Sequence, residues 1–352
     1  MPSPWPFTLA DLTAGLRRYF DDSLLQVEDY REIRLEDRRP SVGSVRALRV
    51  VYRAKEGTRT IDLVVKEPLG TTRAGLAGVG RREAGLYQSL ASQLPISTPK
   101  LVAADSQGSW LVLEYIQDSL PPAAWSANDY LGAVRDLARL HERFWGLEEY
   151  LSYYPWLGHP LFSDFDIHVF AAAKAVEKMM RDNQPRVITE SEEWLGMIGA
   201  LIRQVDTVVA PLREVPQTLL HGDYWPGNIA RLPDGELIAY DWQLAVVGPG
   251  PLDLVVLVNS SRWWFSPLPL EPAEMVNAYR AELSERLNVS WDEEAWARLW
   301  DHALMWRFIQ EWLDLLGASP SALIEARAEL LEEVWLGPVR AAVSRRLHSQ
   351  SA

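Results

Sequence analysis

The hydrophobic periodicity of the chain changes near residues 114–122, and that change restricts the open folds more than any other feature. Before it, apolar residues alternate. RALRVVYRAK (46–55) and RTIDLVVKEP (59–68) are strand patterns joined by a short turn containing Glu56 and Gly57, a hairpin signal. VEDYREIRLED (27–37) fits an edge strand, and LPISTPKLVAAD (94–105) and SWLVLEYI (109–116) fit two more. GVGRREAGLYQSLAS (78–92) has helical spacing. After LPP (120–122), NDYLGAVRDLARLHERFWG (128–146) places Leu131, Val134, Leu137 and Ala138 on one helical face. The pattern then stays mostly helical, except around 218–245. The expectation is an α+β chain in two lobes. Residues 1–116 form a small antiparallel β-sheet lobe with one helix, and residues 117–352 form a larger, mainly helical lobe.

The helical part is interrupted by HGDYWPGNI (221–229) and, after a short apolar run, YDWQ (240–243). TLL (218–220) and ELIAY (236–240) flank the first motif, with a PDG turn at 233–235, so two short strands are expected to bracket the loop. Asp223 is a candidate base for a hydroxyl. Asn228, five residues on, offers an amide oxygen suited to a hard cation such as Mg²⁺. Pro226 and Gly227 make the turn that lets both side chains point inward. Asp241, at a strand end, can complete a metal site. Singly, each of these residues fits a capped turn; the combination H-x-D-x4-N, strand pair, D-W is far more specific.

Lys66 is one of only five lysines in a chain that carries most of its positive charge on arginine. Alternation in IDLVVK puts Ile61, Leu63 and Val65 on one face and Asp62, Val64 and Lys66 on the other. Its ammonium either reaches a phosphate or snorkels to water from the strand end. Glu83 shares a helical face with Leu86, Tyr87 and Leu90, so its carboxylate needs a partner. Lys66 is the natural one; Arg81 or Arg82 is the alternative.

HGDYWPGNI followed by YDWQ resembles the catalytic and metal-binding loops of the aminoglycoside phosphotransferase and choline kinase superfamily, small-molecule kinases with a protein-kinase-like fold. The resemblance extends over most of the chain, because Lys66, Glu83, a linker at LEYI and the helix ending LARLHERFWG fall in the family's order. It implies that Asp223 is the catalytic base, that Asn228 and Asp241 bind the metal, and that Lys66 and Glu83 position the nucleotide phosphates. It also implies that His221 braces the loop and that Asp253 holds the second lobe together. Backbone groups at Glu114 to Ile116 would bond the adenine of ATP, with GTP left open, and Mg²⁺ would bridge the phosphates. The N-terminal lobe thereby becomes the nucleotide-binding lobe. No G-x-G-x-x-G is present, so PSVGSV (40–45), with Ser41, Gly43 and Ser44, is the candidate phosphate-covering loop. Gln243 stands where protein kinases carry Gly, which favours the small-molecule branch.

Composition limits the partners. A net charge of −13 and the lack of clustered Lys and Arg exclude nucleic acid. The chain has no cysteine, which excludes disulfides and thiolate chemistry and fits the cytoplasm. No signal peptide is legible at MPSPWPFTLADLTAGLRRYF, and LAVVGPGPLDLVVLV (244–258) is too interrupted to span a bilayer, so no membrane is expected.

On the acceptor side, Trp296, Leu299, Trp300, Ala303, Leu304, Phe308, Trp312 and Leu315 recur at helical spacing and fit core packing. WWF (263–265) and YYPWLGHP (153–160) are the candidate pocket pieces for a small hydroxylated substrate, one that an aromatic face could hold if it is cationic. Asp292, Glu293, Glu294, Asp301 and Glu311 fit solvated helix faces. The leading reading is transfer of the γ-phosphate of ATP to a hydroxyl of an aminoglycoside-, amino-alcohol- or sugar-like molecule. The alternatives are a catalytically silent nucleotide-binding protein and a metal-dependent hydrolase with His221, Asp223 and Asp241 as ligands.

Overall fold

The first helix, α1 (Leu9–Phe20), was not singled out by the periodicity, although its signal is present. The Thr8 hydroxyl accepts from the Asp11 N–H, and the Asp11 carboxylate accepts from the Thr8 N–H at 2.8 Å, a capping box written in the sequence as T-x-x-D. In this computed structural model of the protein, residues 4–35, 43–68 and 78–347 are described. Ser41 and the N-terminal half of the candidate phosphate-covering loop lie outside them.

β1 (Gln26–Ile33), β2 (Ser44–Ala54) and β3 (Gly57–Glu67) follow as an antiparallel meander. Gly57 closes the β2–β3 turn at φ +114°, where a side chain would be strained. Helix α2 (Val79–Ser89) precedes β4 (Leu101–Ala104) and β5 (Leu111–Glu114). Among the described residues these five strands form one sheet in the order β1-β2-β3-β5-β4, so the charged β1 is an edge and β3 is interior. Leu63 and Val65 of β3 are fully buried with Leu48, Val50 and Val112, and α1 adds Leu12 and Leu16 to the same core. Lys66 alternates to the other face, paired with Val45 on β2 and Leu111 on β5.

The chain then runs through α3 (Ala127–Arg143), α4 (Glu148–Ser152), α5 (Phe165–Asp182), α6 (Arg186–Thr189), α7 (Glu192–Arg203) and α8 (Val205–Arg213). Ser126 and Asp129 start α3 with a second capping box. Four short strands follow: β6 (Thr218–Leu220), β7 (Ile229–Arg231), β8 (Leu237–Ala239) and β9 (Val246–Gly248). The remainder is α9 (Pro251–Phe265), α10 (Pro272–Leu287), α11 (Glu293–Arg307), α12 (Leu313–Ala318), α13 (Ser321–Glu325), α14 (Ala328–Leu331) and α15 (Gly337–Arg346). A π-helical turn, Phe308–Trp312, continues α11.

The strands around the loop pair differently from expectation. β6 and β8 do flank it, but they do not form one pair: β6 pairs antiparallel with β9, and β7 with β8. Ile229–Arg231 turns back on Leu237–Ala239 around the PDG turn, where Gly235 takes φ +97°. The apolar Val246–Gly248 is then left for β6.

Contacts divide the chain into two compact units. One holds the described residues of Met1–Thr72, Leu76–Leu120 and Ala230–Leu244; the other holds those of Pro121–Ile229 and Ala245–Ala352. The expected boundary at 116/117 therefore differs in one main respect. Ala230–Leu244, with Asp241, belongs to the first unit, because Ile238 of β8 bridges Ser97, ahead of β4, and the turn after β8 packs against α2. The second unit has its own core, in which Leu299, Ala303, Leu304, Phe308 and Trp312 meet Trp306 and Trp335. The periodic tryptophans are thus mainly core. No single helix among the described residues is long and apolar enough to cross a membrane.

Candidate functional site

The candidate residues fall into two clusters, one in each unit. In the first unit β3 presents Lys66, α2 presents Glu83, and the segment after β8 presents Asp241. Lys66 Nζ donates to both Glu83 carboxylate oxygens, at 2.7 Å each, and to Asp241 Oδ1 at 2.7 Å. Glu83 is completely buried on the face it shares with Leu86, Tyr87 and Leu90, so the partner its position demands is Lys66 and not Arg81 or Arg82. Arg82 instead donates to the carbonyl of Gln243 at 3.1 Å. That bond and the Trp242 N–H given to Glu83 tie α2 to the D-W-Q turn. Trp242 is fully buried and its indole N–H donates to the Ala239 carbonyl, which fixes the turn from below.

Asp241 takes φ +66°, a left-handed conformation uncommon outside glycine and tolerated best by Asp and Asn. Burial pulls the Lys66 pKa down, but the charges of Asp241 and Glu83 more than offset this, and the ammonium titrates above its ordinary range. Burial pushes the Glu83 carboxyl up, against the opposing pull of Lys66. The result is a desolvated cation fixed by two carboxylates.

Other candidates of this unit flank the triad. Ser44 begins β2 opposite Glu67, one residue from the level of Lys66, and Gly43 before it takes φ +134°. Glu114 ends β5, its N–H donates to the Lys100 carbonyl at 2.9 Å, and its carboxylate accepts from the Lys100 N–H. Ile116 is half buried just beyond the strand.

In the second unit the loop after β6 is built around Asp253, near the start of α9. Asp253 Oδ2 accepts from the His221 N–H at 2.7 Å and Oδ1 from the Gly222 N–H at 2.9 Å. His141 of α3 stands behind it, with Nε2 3.5 Å from Asp253 Oδ2 and Nδ1 2.6 Å from the Tyr279 hydroxyl of α10. Burial raises the Asp253 carboxyl, but the hydrogen bond and charge of His141 and the charges of His221 and Arg307 outweigh that and hold it below the ordinary 3.8. Asp253 thus holds the loop backbone by two charge-assisted bonds.

His221 is fully buried, and its Nδ1 accepts from the Asp223 N–H at 3.3 Å. Asn228 Nδ2 donates to the Asp223 carbonyl at 2.9 Å and to Asp223 Oδ2 at 2.7 Å. Its other side-chain atom, the amide oxygen, is the one suited to a hard cation. A side chain at Gly227 would strike the Trp225 ring, so the turn between Asp223 and Asn228 needs glycine there.

Sequence reasoning missed Arg307. This residue, 5% exposed, donates to the Gly222 carbonyl at 2.9 Å, to Glu311 Oε2 at 2.6 Å and to Gln310 Oε1 at 3.1 Å. The signal was a lone cation inside the apolar run ALMWRFI. Two acidic residues expected on solvated faces are engaged instead: Glu311 with Arg307, and the buried Asp301 with Arg345 and Arg346. Of the candidate pocket aromatics, Trp263 is core and Trp264 is 47% exposed, while Trp225 stacks with Trp264 and Phe265 beside the loop.

Asp241 in the first unit offers a carboxylate and Asn228 in the second an amide oxygen, each a donor type suited to a hard cation. Among the described residues no three His, Asp or Glu side chains are gathered as metal ligands. With the His221 ring buried and bonded, the hydrolase alternative loses its nitrogen ligand.

The family model of the phosphotransferase enzyme family matches residues 42–300. A probable ketoamine kinase of Escherichia coli, YniA, is 28% identical over 169 residues, which are 44% of this chain and 53% of that protein. The match therefore spans about half the length of the curated relative. An aminoglycoside phosphotransferase from Alicyclobacillus acidocaldarius superposes with a TM-score of 0.51 over 99% of this chain and 98% of its own, at 13% identity. A Plasmodium vivax ethanolamine kinase gives 0.54 over 84% and 81%, also at 13% identity. These likenesses show the fold, which is α+β and of the protein-kinase-like class. With the model matched over residues 42–300, most of this chain, which include Lys66, Glu83, Asp223, Asn228, Asp241 and Asp253, the chain belongs to the phosphotransferase enzyme family.

Proposed function

We propose that the protein transfers the γ-phosphate of ATP to a hydroxyl of a small, amine-bearing molecule. The observation that carries this reading is the Lys66 ammonium, held by both oxygens of Glu83 and by Asp241 in a desolvated cluster. Such a cation, oriented by carboxylates on two other elements, is the arrangement that positions nucleotide phosphates.

Asp223 orients the acceptor hydroxyl and takes its proton as the oxygen bonds to the γ-phosphorus. The bond from that phosphorus to the β–γ bridging oxygen breaks, and ADP leaves. Asn228 holds the Asp223 carboxylate through Nδ2, so the base meets the hydroxyl in one orientation. Asp241 and the Asn228 amide oxygen are the groups that would hold Mg²⁺, which when bound neutralises phosphate charge. Glu114 and Ile116 are proposed to bond the nucleotide base, and Ser41, Gly43 and Ser44 to cover its phosphates. The assignment of YniA as a probable ketoamine kinase supports an acceptor with both hydroxyl and amine groups.

The test is nucleotide-dependent stabilisation followed by ADP release across ketoamines, amino alcohols, aminoglycosides and sugars, with ATP and GTP compared. Stabilisation by Mg²⁺-ATP and one acceptor that drives ADP release support the reading. Stabilisation without turnover for any hydroxyl acceptor would return the catalytically silent alternative.

A further inference from the structure

Helix α11 does not pass directly into α12. Between them, at Phe308–Trp312, the Leu313 N–H reaches back five residues to the Phe308 carbonyl, a π-helical turn. Such turns are rare inside helices and frequently mark functional sites. Phe308, Ile309 and Trp312 of the turn are buried in the core of the second unit. Gln310 and Glu311 are only half-buried, and these are the two side chains that the turn carries toward solvent.

One nitrogen ties Glu311 to the loop of the proposed base. Arg307 Nη2 donates to Glu311 Oε2 at 2.6 Å and to the Gly222 carbonyl at 2.9 Å. The carboxylate therefore lies within two hydrogen-bond lengths of the peptide that leads into Asp223. Arg307 is buried, but the Glu311 side chain is 27% exposed. Glu311 Oε1 has no hydrogen-bond partner among the described residues and is open at the surface, so a ligand can reach it. Gln310 is anchored by the same guanidinium: its Oε1 accepts from Arg307 Nη1 at 3.1 Å, which leaves its NH2 to donate. Charge favours a cation beside Glu311. Arg307 does not neutralise Glu311 alone, because its charge also helps to hold the Asp253 carboxyl ionised. Asp223 adds a further carboxylate one residue past Gly222. Trp225, two residues past Asp223, stacks with the exposed Trp264 and gives the same loop an aromatic face.

We infer that Glu311 sets the acceptor specificity of this site: its open oxygen takes the ammonium of a small amino sugar or amino alcohol whose hydroxyl meets Asp223. The Gln310 amide donates to another oxygen of the same molecule. The role of the hydroxyl rests on the phosphotransfer reading, whereas the ammonium contact rests on the Arg307 geometry. A neutral polyol can use Gln310 and Asp223 but leaves Glu311 without a donor.

Calorimetric titration of the full chain with amines and their neutral counterparts tests this: fructosamine and fructose, glucosamine and glucose, ethanolamine and ethylene glycol. At least one amine is expected to bind about tenfold or more tightly than its neutral counterpart, the effect of one charge-assisted contact. Glu311→Gln keeps an oxygen for Arg307 and is expected to erase that preference while Mg²⁺-ATP still raises the melting temperature. Glu329→Gln, which removes an equal charge from an exposed position on α14, is expected to keep it. If Glu311→Gln fails to fold, Glu311→Asp, which retracts the carboxylate by one methylene, carries the test, and the preference is expected to fall. No binding of any amine at millimolar concentration, equal binding of the neutral counterparts, a preference that survives at position 311, or one lost equally in Glu329→Gln would each overturn the inference. Mg²⁺-ATP stabilisation reports on the phosphotransfer reading separately: its absence, with the amine preference intact, would overturn that reading and not the ammonium contact.

Discussion

Arg307 Nη2 lies 2.9 Å from the carbonyl oxygen of Gly222, the residue immediately before Asp223. Asp253 takes the N–H of the same glycine from the other side, at 2.9 Å. Gly222 itself sits at φ +84°, so the residue before the proposed base is held at both its backbone N–H and its C=O in a conformation few residues adopt. Arg307→Lys keeps the charge but loses the fork that reaches Gly222, Gln310 and Glu311 together. It should lower kcat by about tenfold to a hundredfold with KM for nucleotide little changed, as expected when a 1 Å displacement spoils alignment. Steady-state kinetics of Arg307→Lys and Arg307→Gln check this; a change confined to melting temperature would make Arg307 structural only.

Asp223→Asn preserves shape and keeps a side-chain oxygen for Asn228, but it cannot take a proton. Transfer should fall by about 10²–10⁴-fold, the range for loss of a general base, while nucleotide stabilisation persists. Turnover near that of the unaltered protein would remove Asp223 from the role of base.

Lys66 and Glu83 should be energetically coupled. Lys66→Met leaves the fully buried Glu83 carboxylate without its cation, a loss of about 3–5 kcal/mol. Glu83→Gln added to it removes the stranded charge, so the double variant should be more stable than the sum of the singles by about 1–3 kcal/mol. Denaturant unfolding of all four proteins gives the cycle, and additivity would mean that the pair contributes no mutual energy.

Asp253 sets a pH dependence. Its folded carboxyl is held below the ordinary 3.8, so it binds a proton less readily folded than unfolded. The stability it contributes is present above that ordinary value and is lost as pH falls through the folded one. Asp253→Asn, which leaves one loop N–H facing an amide NH2 and the other a neutral acceptor, should cost about 2–3 kcal/mol at neutral pH. That difference should shrink progressively below pH about 4. Acid titrations followed by circular dichroism compare the two proteins, and a constant difference would contradict the assignment.

Much of the fold was legible because periodicity reports which faces are buried. The alternation through IDLVVK placed Leu63 and Val65 in the core and Lys66 opposite, and the Glu83 stripe on α2 demanded a cation. What escaped were features that depend on distant partners. TLL was read as a strand, but its partner, Val246–Gly248, lies beyond the pair formed by Ile229–Arg231 and Leu237–Ala239, and local pattern does not name it. Arg307 looks like a break in an apolar helix until the Gly222 carbonyl is placed beside it. Helix α1 had its capping box in plain view; the short apolar stripe of Leu12 and Leu16 offered little periodicity to go with it.

The late arrival of Ala230–Leu244 in the first unit bears on how the chain is made. A ribosome releases Lys66 and Glu83 long before Asp241, at about 5–20 residues each second. During that interval the first unit lacks β8 and the D-W-Q turn that seals α2, and Lys66 has only one of its two carboxylates. A gene cut after Leu120 would therefore encode a first unit without Asp241, and no single cut yields two complete units. The two units are inherited and synthesised as one.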